Sequence, residues 1–418
     1  MERYVGRVRV AIEFVRPPPR CPGSGGPGHG QRHPAAYSSP IRLSRIRSAC
    51  RIWWLRAKKF EAQIGPQGRL DKLLGHSGVE IRRQASNGVP QVVSGAEMAA
   101  AFDAHGEWET LEETGNVHFQ QADRQATAAR AKVARASDTI TLEGSPVISD
   151  SMSRTTAVDV TINQSSGELH ASGGVVSTYV PTTQGDAVGL GSGAAHVSAD
   201  TLSAWVNSGH AAYVGHARLW QGDAVLESDQ VELWRADKKL KATGHVVAVF
   251  PQASGPLTSL PGARPKPASS AGPTLWKISA PVLTYWSDQG KAHLEGGVTA
   301  SSDQGSLDSR TLDAFLNQAI ASAPGGGVAP APGGRQLSRV LALGDVVVRQ
   351  GDRRGMAEQA EYTAADGKFV LSGGQPTLAN ATSDTTTGHS LTFFVANDTI
   401  LIDSQEGSRT VTKHRVEK

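Results

Sequence analysis

Glu227 and Asp229 stand two residues apart in ESDQVELW, on one face of a strand if the alternation there is read at period two. Paired carboxylates can supply the acid and the base of glycoside hydrolysis. No second pair converges with these two, no nucleophile context accompanies them, and no Ser-His-Asp spacing stands out elsewhere. His29 and His33 are four residues apart, but the segment around them lacks the helical pattern that would bring two imidazoles to one metal. His118, His216, His245 and His293 sit singly, in strands or beside glycines, and read as solvated. GLGSGAAH (189–196) suggests a dinucleotide loop, yet it lacks the GxGxxG spacing and leads into strand-like sequence, so it reads as a turn. The expectation is therefore no catalysis, no metal and no cofactor.

The elements that would position any site are short strands. The chain is 39% hydrophobic but only 6% aromatic, and its 46 glycines and 22 prolines favour many turns over a few large helices. No apolar run reaches the length of a membrane-spanning helix. Charge is divided: residues 1–59 carry 13 Lys/Arg against Glu2 and Glu13, a balance of +11. The remainder has 29 basic and 37 acidic residues, a balance of −8, which speaks against a nucleic-acid footprint in the body. Both cysteines, Cys21 and Cys50, fall in the basic leader, so the body owes nothing to disulfides.

The leader, residues 1–59, is rich in Arg, Pro, Gly and Ser and is expected to be disordered. No apolar core of a secretory signal follows its charges; ACRIWWLRA (49–57) is too short and is interrupted by arginine. A basic arm for nucleic acid or membrane and an organellar transit peptide are open readings. The preferred one is a mis-assigned start or a missing true N-terminus.

The body repeats one phrase: a polar turn, a short apolar run, then glycine. The glycines are Gly115, Gly144, Gly173, Gly215, Gly244, Gly296, Gly344 and Gly373, and the intervals 115→144, 144→173, 215→244 and 344→373 are each 29 residues. Gly- and Pro-rich insertions account for the longer intervals, and the pattern resumes after each. About 15 residues before several glycines lies a second strand-like phrase, so a unit is strand, turn, strand, turn. AEMAAAFDA (96–104), the one piece with a helical flavour, reads as part of another strand pair. The predicted fold is all-β: a repetitive antiparallel meander whose apolar face must be covered, as a sandwich, barrel, open jelly roll or solenoid. The inward candidates are mainly aliphatic, which suits an apolar ligand and equally an ordinary filled core.

Residues 355–403, GMAEQAEYTAADGKFVLSGGQPTLANATSDTTTGHSLTFFVANDTILID, resemble the repeat of the OstA/LptA family of lipopolysaccharide-transport proteins. The matching positions are Gly355, Ala357, Tyr362, Val370, Leu371, Gly373, Gly388 and Leu391, and residues 195–250 read the same way twice over. The resemblance covers roughly residues 60–410 and rests on a repeated pattern, not on an invariant triad. It implies a twisted, open β-jelly roll of the LptA/LptC type, as one long module or two fused ones. It also implies lipid A acyl chains held inside and a periplasmic, non-enzymatic bridge from inner to outer membrane in a Gram-negative bacterium. Partners implied are lipopolysaccharide, other jelly-roll proteins of the same transport system joined through edge strands, the inner-membrane ABC transporter and the outer-membrane translocon. This chain departs from the family in showing neither a signal peptide nor an N-terminal anchor helix.

The expected organisation is a leader (1–59), a repeat module (60–250), a Pro/Gly-rich loop (251–274), a second module continuing the same sheet (275–410) and a basic tail (411–418) that is solvated or adds to a partner's sheet. Expected groove-lining residues in the last unit are Val346, Val348, Tyr362, Phe369, Leu371, Leu391 and Phe393; a one-residue error in face would invert this set. The rival function is a β-solenoid scaffold or adhesion-like array with a filled core. A third reading, a polysaccharide-acting solenoid enzyme, would need clustered carboxylates and exposed aromatics on one face.

Overall fold

The computed structural model describes residues 2–6, 53–66, 68–84, 89–180, 190, 193–252, 274–303, 305–318, 335–379, 385–394, 399–403 and 411–413. All regular structure among them is β, and every pairing is antiparallel. The residues fall into two compact units, Met1–Gly144 and Ser145–Lys418.

The first unit contains β1 (Glu2–Gly6), β2 (Trp53–Arg56), β3 (Lys59–Ile64), β4 (Leu70–Gln84), β5 (Pro90–Phe102), β6 (Trp108–Gln121), β7 (Arg124–Ala134) and β8 (Thr139–Glu143). From β3 to β8 each strand pairs with the next. Glu2–Gly6, in the leader expected to be disordered, is a strand paired with β3. The 96–104 stretch lies mostly within β5, where alternating small residues let Met98 and Ala100 turn inward while Glu97 faces out.

The second unit opens with β9 (Val147–Ser149), β10 (Ser153–Thr156), β11 (Asp159–Asn163) and β12 (Glu168–Tyr179). A meander follows: β13 (Ala195–Trp205), β14 (His210–Gln221), β15 (Ala224–Trp234), β16 (Lys239–Gln252), β17 (Thr274–Trp286), β18 (Lys291–Ser301), β19 (Ser306–Gln318), β20 (Arg335–Gln350) and β21 (Arg353–Thr363). It closes with β22 (Lys368–Ser372), β23 (Thr377–Ala379), β24 (Thr385–Thr387), β25 (Ser390–Phe394), β26 (Thr399–Asp403) and β27 (Val411–Lys413). The division between units falls at Gly144 and Ser145, not in the 251–274 segment. Around that segment β16 and β17 pair from Lys239↔Trp286 to Gln252↔Thr274, so the meander runs on unbroken. The start of the basic tail, Val411–Lys413, pairs with β24 of its own chain.

The eight repeat glycines all have φ between +76° and +92°, and the residue after each is also left-handed: Asn116, Ser145, Gly174, His216, His245, Gly297, Asp345 and Gly374. The second member is non-glycine in five of the eight, so the glycine carries the backbone freedom and the next side chain is held in an uncommon conformation. At six of them the pair is a bulge within a ladder: Gly215 and His216 of β14, for example, oppose only Asp229 of β15. Register shifts recur at the same level of each ladder, between Thr114 and Val117, Ser172 and Val175, Val214 and Ala217, Thr243 and Val246, Glu295 and Val298, and Leu343 and Val346.

A bulge bends and twists its strand. Aligned bulges on alternate strands add these bends into a crease that divides each strand into two arms. The pairing pattern shows the division directly. β21 pairs with β22 through Gln359–Thr363 on one side of the crease and with β23 through Arg354–Met356 on the other. β12 divides likewise between β11 and β10, and β4 of the first unit between β3 and β2. Within the second unit the apolar face on both arms is almost completely buried.

Crease glycines are therefore intolerant positions. At Gly115 a Cβ would stand 2.7 Å from the Cβ of Ala96, at φ +78°. Gly115→Ala is expected to lower stability by about 2–3 kcal/mol, combining backbone strain with a rigid clash. Gly106→Ala in a turn, where φ is also +78° but open space surrounds the site, is expected to cost about 1 kcal/mol. Urea titration of the two variants checks the difference; equal losses would show that the crease contact is soft.

Candidate functional site

The seven residues expected to line a groove all lie on the buried face, none more than 4% exposed. Register gathers five of them into two rows. Tyr362, Phe369 and Phe393 are consecutive cross-strand partners on β21, β22 and β25, and Ala360, Leu371 and Leu391 form the next row. The Phe369 and Phe393 rings are 6.1 Å apart and tilted by 41°. Val346 and Val348 lie on the far arm of β20, beyond the Gly344 bulge, opposite Ala357 and Gly355. Burial raises the Tyr362 phenol above its ordinary pKa, as expected for a hydroxyl at the edge of an apolar patch.

Sequence reading missed the floor of the crease. Two residues after the crease glycine comes a valine in most units: Val117, Val175, Val246, Val298 and Val346, each at most 2% exposed. Their cross-strand partners are small: Ala128, Ala199, Ala280, Ser309 and Ala357. Val79 occupies the same place beside a further bulge at Ser77 and Gly78, opposite Gly95. The signal was legible as Gly-x-Val, but only Val346 was singled out. Large apolar residues on the arms and small ones along the floor give the interior its aliphatic character.

Polar groups inside are few and mostly satisfied. Tyr179 and Tyr213 share a 2.6 Å hydroxyl hydrogen bond, and Thr155 and Ser177 another at 2.8 Å. Burial pushes the Tyr213 phenol well above its ordinary pKa, so it stays neutral. Gln221, also buried, accepts from the Leu190 backbone N–H and donates to the Gly193 carbonyl, 2.9 Å each. These bonds tie described residues of the GLGSGAAH segment to β14, and the strand β13 follows from Ala195.

The first unit packs Phe60, Leu73, Val79, Ile81, Met98 and Ala100 as its core. Glu113 of β6 lies in the same interior, 2% exposed, between its cross-strand partners Met98 and Ala131. Neither carboxylate oxygen has a hydrogen-bond partner, and burial alone pushes its pKa up to about 8.

The outer face of the second unit carries the charges. Glu227 is paired with Arg218 at 3.4 Å and Asp229 with His245 at 2.9 Å, so the two acids do not converge on a shared site. At the preceding crease bulge His216 Nδ1 donates to Asp200 Oδ2, also at 2.9 Å. The hydrogen bond to Asp200 and its charge hold the His216 imidazole above its ordinary pKa, with a smaller push from Asp229. Asp200→Asn is expected to bring that pKa back toward 6.5, read by NMR titration of the imidazole; an unmoved midpoint would assign the shift elsewhere. His293 pairs with Asp313 at 2.5 Å. Reading these histidines as solvated was right for His216, 92% exposed, but overlooked their carboxylate partners.

One outward row runs across eight strands by direct register: Trp205, His210, Trp234, Lys239, Trp286, Lys291, Phe315 and Arg339. Trp205, His210 and Trp234 stack at 4.8 and 4.9 Å, and Lys239 Nζ stands 4.0 Å over the Trp234 ring. Such cross-strand pairs stiffen a sheet. Trp205, His210 and Trp234 turn ring faces to one another, which accounts for them as sheet structure. Among the described residues no group of three or more His, Cys, Asp or Glu is placed to hold a metal ion. Among the described residues no helix is long and apolar enough to cross a membrane, a statement that does not bear on strand-spanning arrangements. His29, His33, Cys21 and Cys50 lie outside the described residues.

No protein-family model matches the chain. No curated protein matches it either. Among solved structures it is similar to LptH of Pseudomonas aeruginosa, described as the LptA-homologous periplasmic component of the lipopolysaccharide transport device. The match covers 34% of this chain and 95% of that one, at 12% identity and a TM-score of 0.28. At that TM-score the likeness carries no argument about function.

Proposed function

We propose that the chain is a non-enzymatic lipid carrier of the lipopolysaccharide-transport type, holding lipid A acyl chains along the creased apolar face and working in the periplasm. The observation that carries this reading is the crease itself. One aliphatic floor, Gly-x-Val by Gly-x-Val, is repeated strand after strand with apolar arms on both sides. A catalytic site concentrates unlike groups at one place; this design repeats like groups along a line. Each acyl CH₂ moved from water onto such a floor is worth about 0.8 kcal/mol, so three or four chains give firm binding without any specific polar contact. The repeat resemblance over residues 195–250 and 355–403 supports the same reading. β26, paired with β25 alone among the described residues, is the edge proposed for strand addition by a neighbouring jelly roll of a bridge between inner-membrane transporter and outer-membrane translocon.

The lining residues are covered in the structure, so loading requires the two arms to part along the crease. That same closure is the observation favouring the second reading, a structural β-scaffold with a filled core. Extraction of the full chain after production in a Gram-negative periplasm separates them. Lipid A species near one per chain by mass spectrometry are expected of the carrier; a stable chain free of lipid overturns it in favour of the scaffold.

A further inference from the structure

The repeat provides its own control for Glu113. Two residues before the crease glycine stand Leu142, Ala171, Tyr213, Ala242, Leu294, Ala342 and Leu371, all buried and none ionisable near neutral pH. Glu113 occupies that position before Gly115 and is the one acid in the series. Its two oxygens are without partners. The buried positions of the strands beside it are apolar: Met98 and Ala100 on β5, Ala126, Ala128 and Ala131 on β7, Leu73, Val79 and Ile81 on β4, Leu142 on β8 and Val117 on its own strand. The charged residues nearest to it in register, Glu97, Glu112, Arg130, Lys132 and Glu143, alternate out of that face. Arg130 lies 3.1 Å from Glu112 and 3.6 Å from Glu143.

The backbone beside the carboxyl head carries a glycine. Across the crease, where other units place alanine or serine, this unit has Gly95, and a Cβ there would meet Glu113 Oε2 at 3.5 Å and the Thr114 carbonyl at 3.3 Å. An acid with no partner, in a place the pattern assigns to an aliphatic residue, is costly to the fold by itself. A ligand that supplies the missing partner recovers that cost.

We infer that the crease of the first unit takes an amphiphile whose head is a single protonated amine, with Glu113 as its counter-ion and the apolar floor receiving its chain. An ammonium satisfies both free oxygens by hydrogen bond and, once the carboxyl ionises, by charge, whereas an anionic head supplies no counter-charge and an alcohol offers one weak donor. The inference rests on reading the crease as a lipid channel, and it adds head-group selectivity. Because burial keeps Glu113 protonated at neutral pH in the free protein, pairing displaces its proton: R–NH₃⁺ meets Glu113–COOH, the O–H bond breaks, the carboxylate keeps the electron pair, and H⁺ passes to the buffer.

Calorimetry with the full chain at pH 7, titrating dodecylamine and 1-dodecanol below their aggregation limits, tests this. Amine binding is expected to be at least tenfold tighter than alcohol binding. Comparison of buffers with different ionisation heats is expected to show about 0.9 proton released per amine bound, given a free pKa of about 8. Glu113→Gln, nearly isosteric, should remove the tenfold preference and the proton release while leaving dodecanol binding within about twofold. Equal binding of amine and alcohol by the unaltered chain, or amine binding without proton release, overturns the assignment of Glu113 and leaves the lipid channel standing. Failure of both probes to bind overturns both readings. The proton count is read on the unaltered chain and stands even if the variant does not fold.

Discussion

Between pH 4.5 and 8 the first unit is expected to lose stability steadily, and Glu113→Leu to abolish that part of the slope. The sign follows from the direction of the shift. With its pKa pushed up to about 8 by burial, the folded state keeps the Glu113 proton over a range in which the unfolded chain, near 4.5, has released it. The folded state then binds more protons than the unfolded one, so stability falls as pH rises, and it levels off above the folded pKa. A displacement from 4.5 to about 8 is worth on the order of 5 kcal/mol when fully expressed, and about 3 kcal/mol at pH 7. Leucine is the informative replacement because the repeat places Leu142, Leu294 and Leu371 at the corresponding position. Hydrogen exchange of β5–β7 amides, corrected for intrinsic rates and compared between the two proteins from pH 5 to 9, reads the difference. Parallel profiles would mean that Glu113 finds a partner or solvent, and the proposed amine site would fall with it.

Leu371→Asp is expected to cost at least 4 kcal/mol, and Val370→Asp, one residue away, less than about 1 kcal/mol. Leu371 is fully buried between Ala360 and Leu391, whereas Val370 stands between Glu361 and Thr392 on the other face of β22. An aspartate at 371 either stays charged in an apolar row or is neutralised at a cost set by the pH; neither leaves the two arms packed. Thermal denaturation of the two variants checks the face assignment. Similar losses would mean that β22 does not separate an inner from an outer face. The comparison also shows why loss of lipid in Leu371→Asp would report unfolding and not the position of a groove.

The glycine period was legible because a left-handed bulge in a strand has a strong residue preference, and that preference is written into the chain at a fixed spacing. What the glycines do was not legible. Their alignment into a crease depends on register between strands, which no single strand encodes, and so the turn-like phrase read as an end of a strand when it is a bend within one. The bulge at Ser77 and Gly78 escaped because its glycine comes second. Glu113 escaped for a related reason. In TLEETG, Glu112 and Glu113 are equally plausible as outward charges, and the phase of the alternation, which sends 113 inside, is set by packing against β5 and β7. The Trp205-to-Trp234 spacing repeats the 29-residue period, yet the stacked row needs His210 and Lys239 from strands between and beyond them. The Pro/Gly-rich segment, expected as a loop with the same sheet continuing beyond it, falls between the paired strands β16 and β17, whereas the division between units at Gly144 carries no compositional mark.

Site-specific photocrosslinking tests the carrier reading most directly. A benzophenone amino acid at Phe369, and separately at Val370, is incorporated in the full chain, each folded protein is mixed with purified lipopolysaccharide, and the sample is irradiated. The carrier reading predicts an adduct from 369, where the side chain lies against Tyr362 and Phe393 inside the crease, and none from 370 on the outer face. No adduct from 369 in a folded, lipopolysaccharide-saturated sample, or equal adducts from both positions, would contradict it.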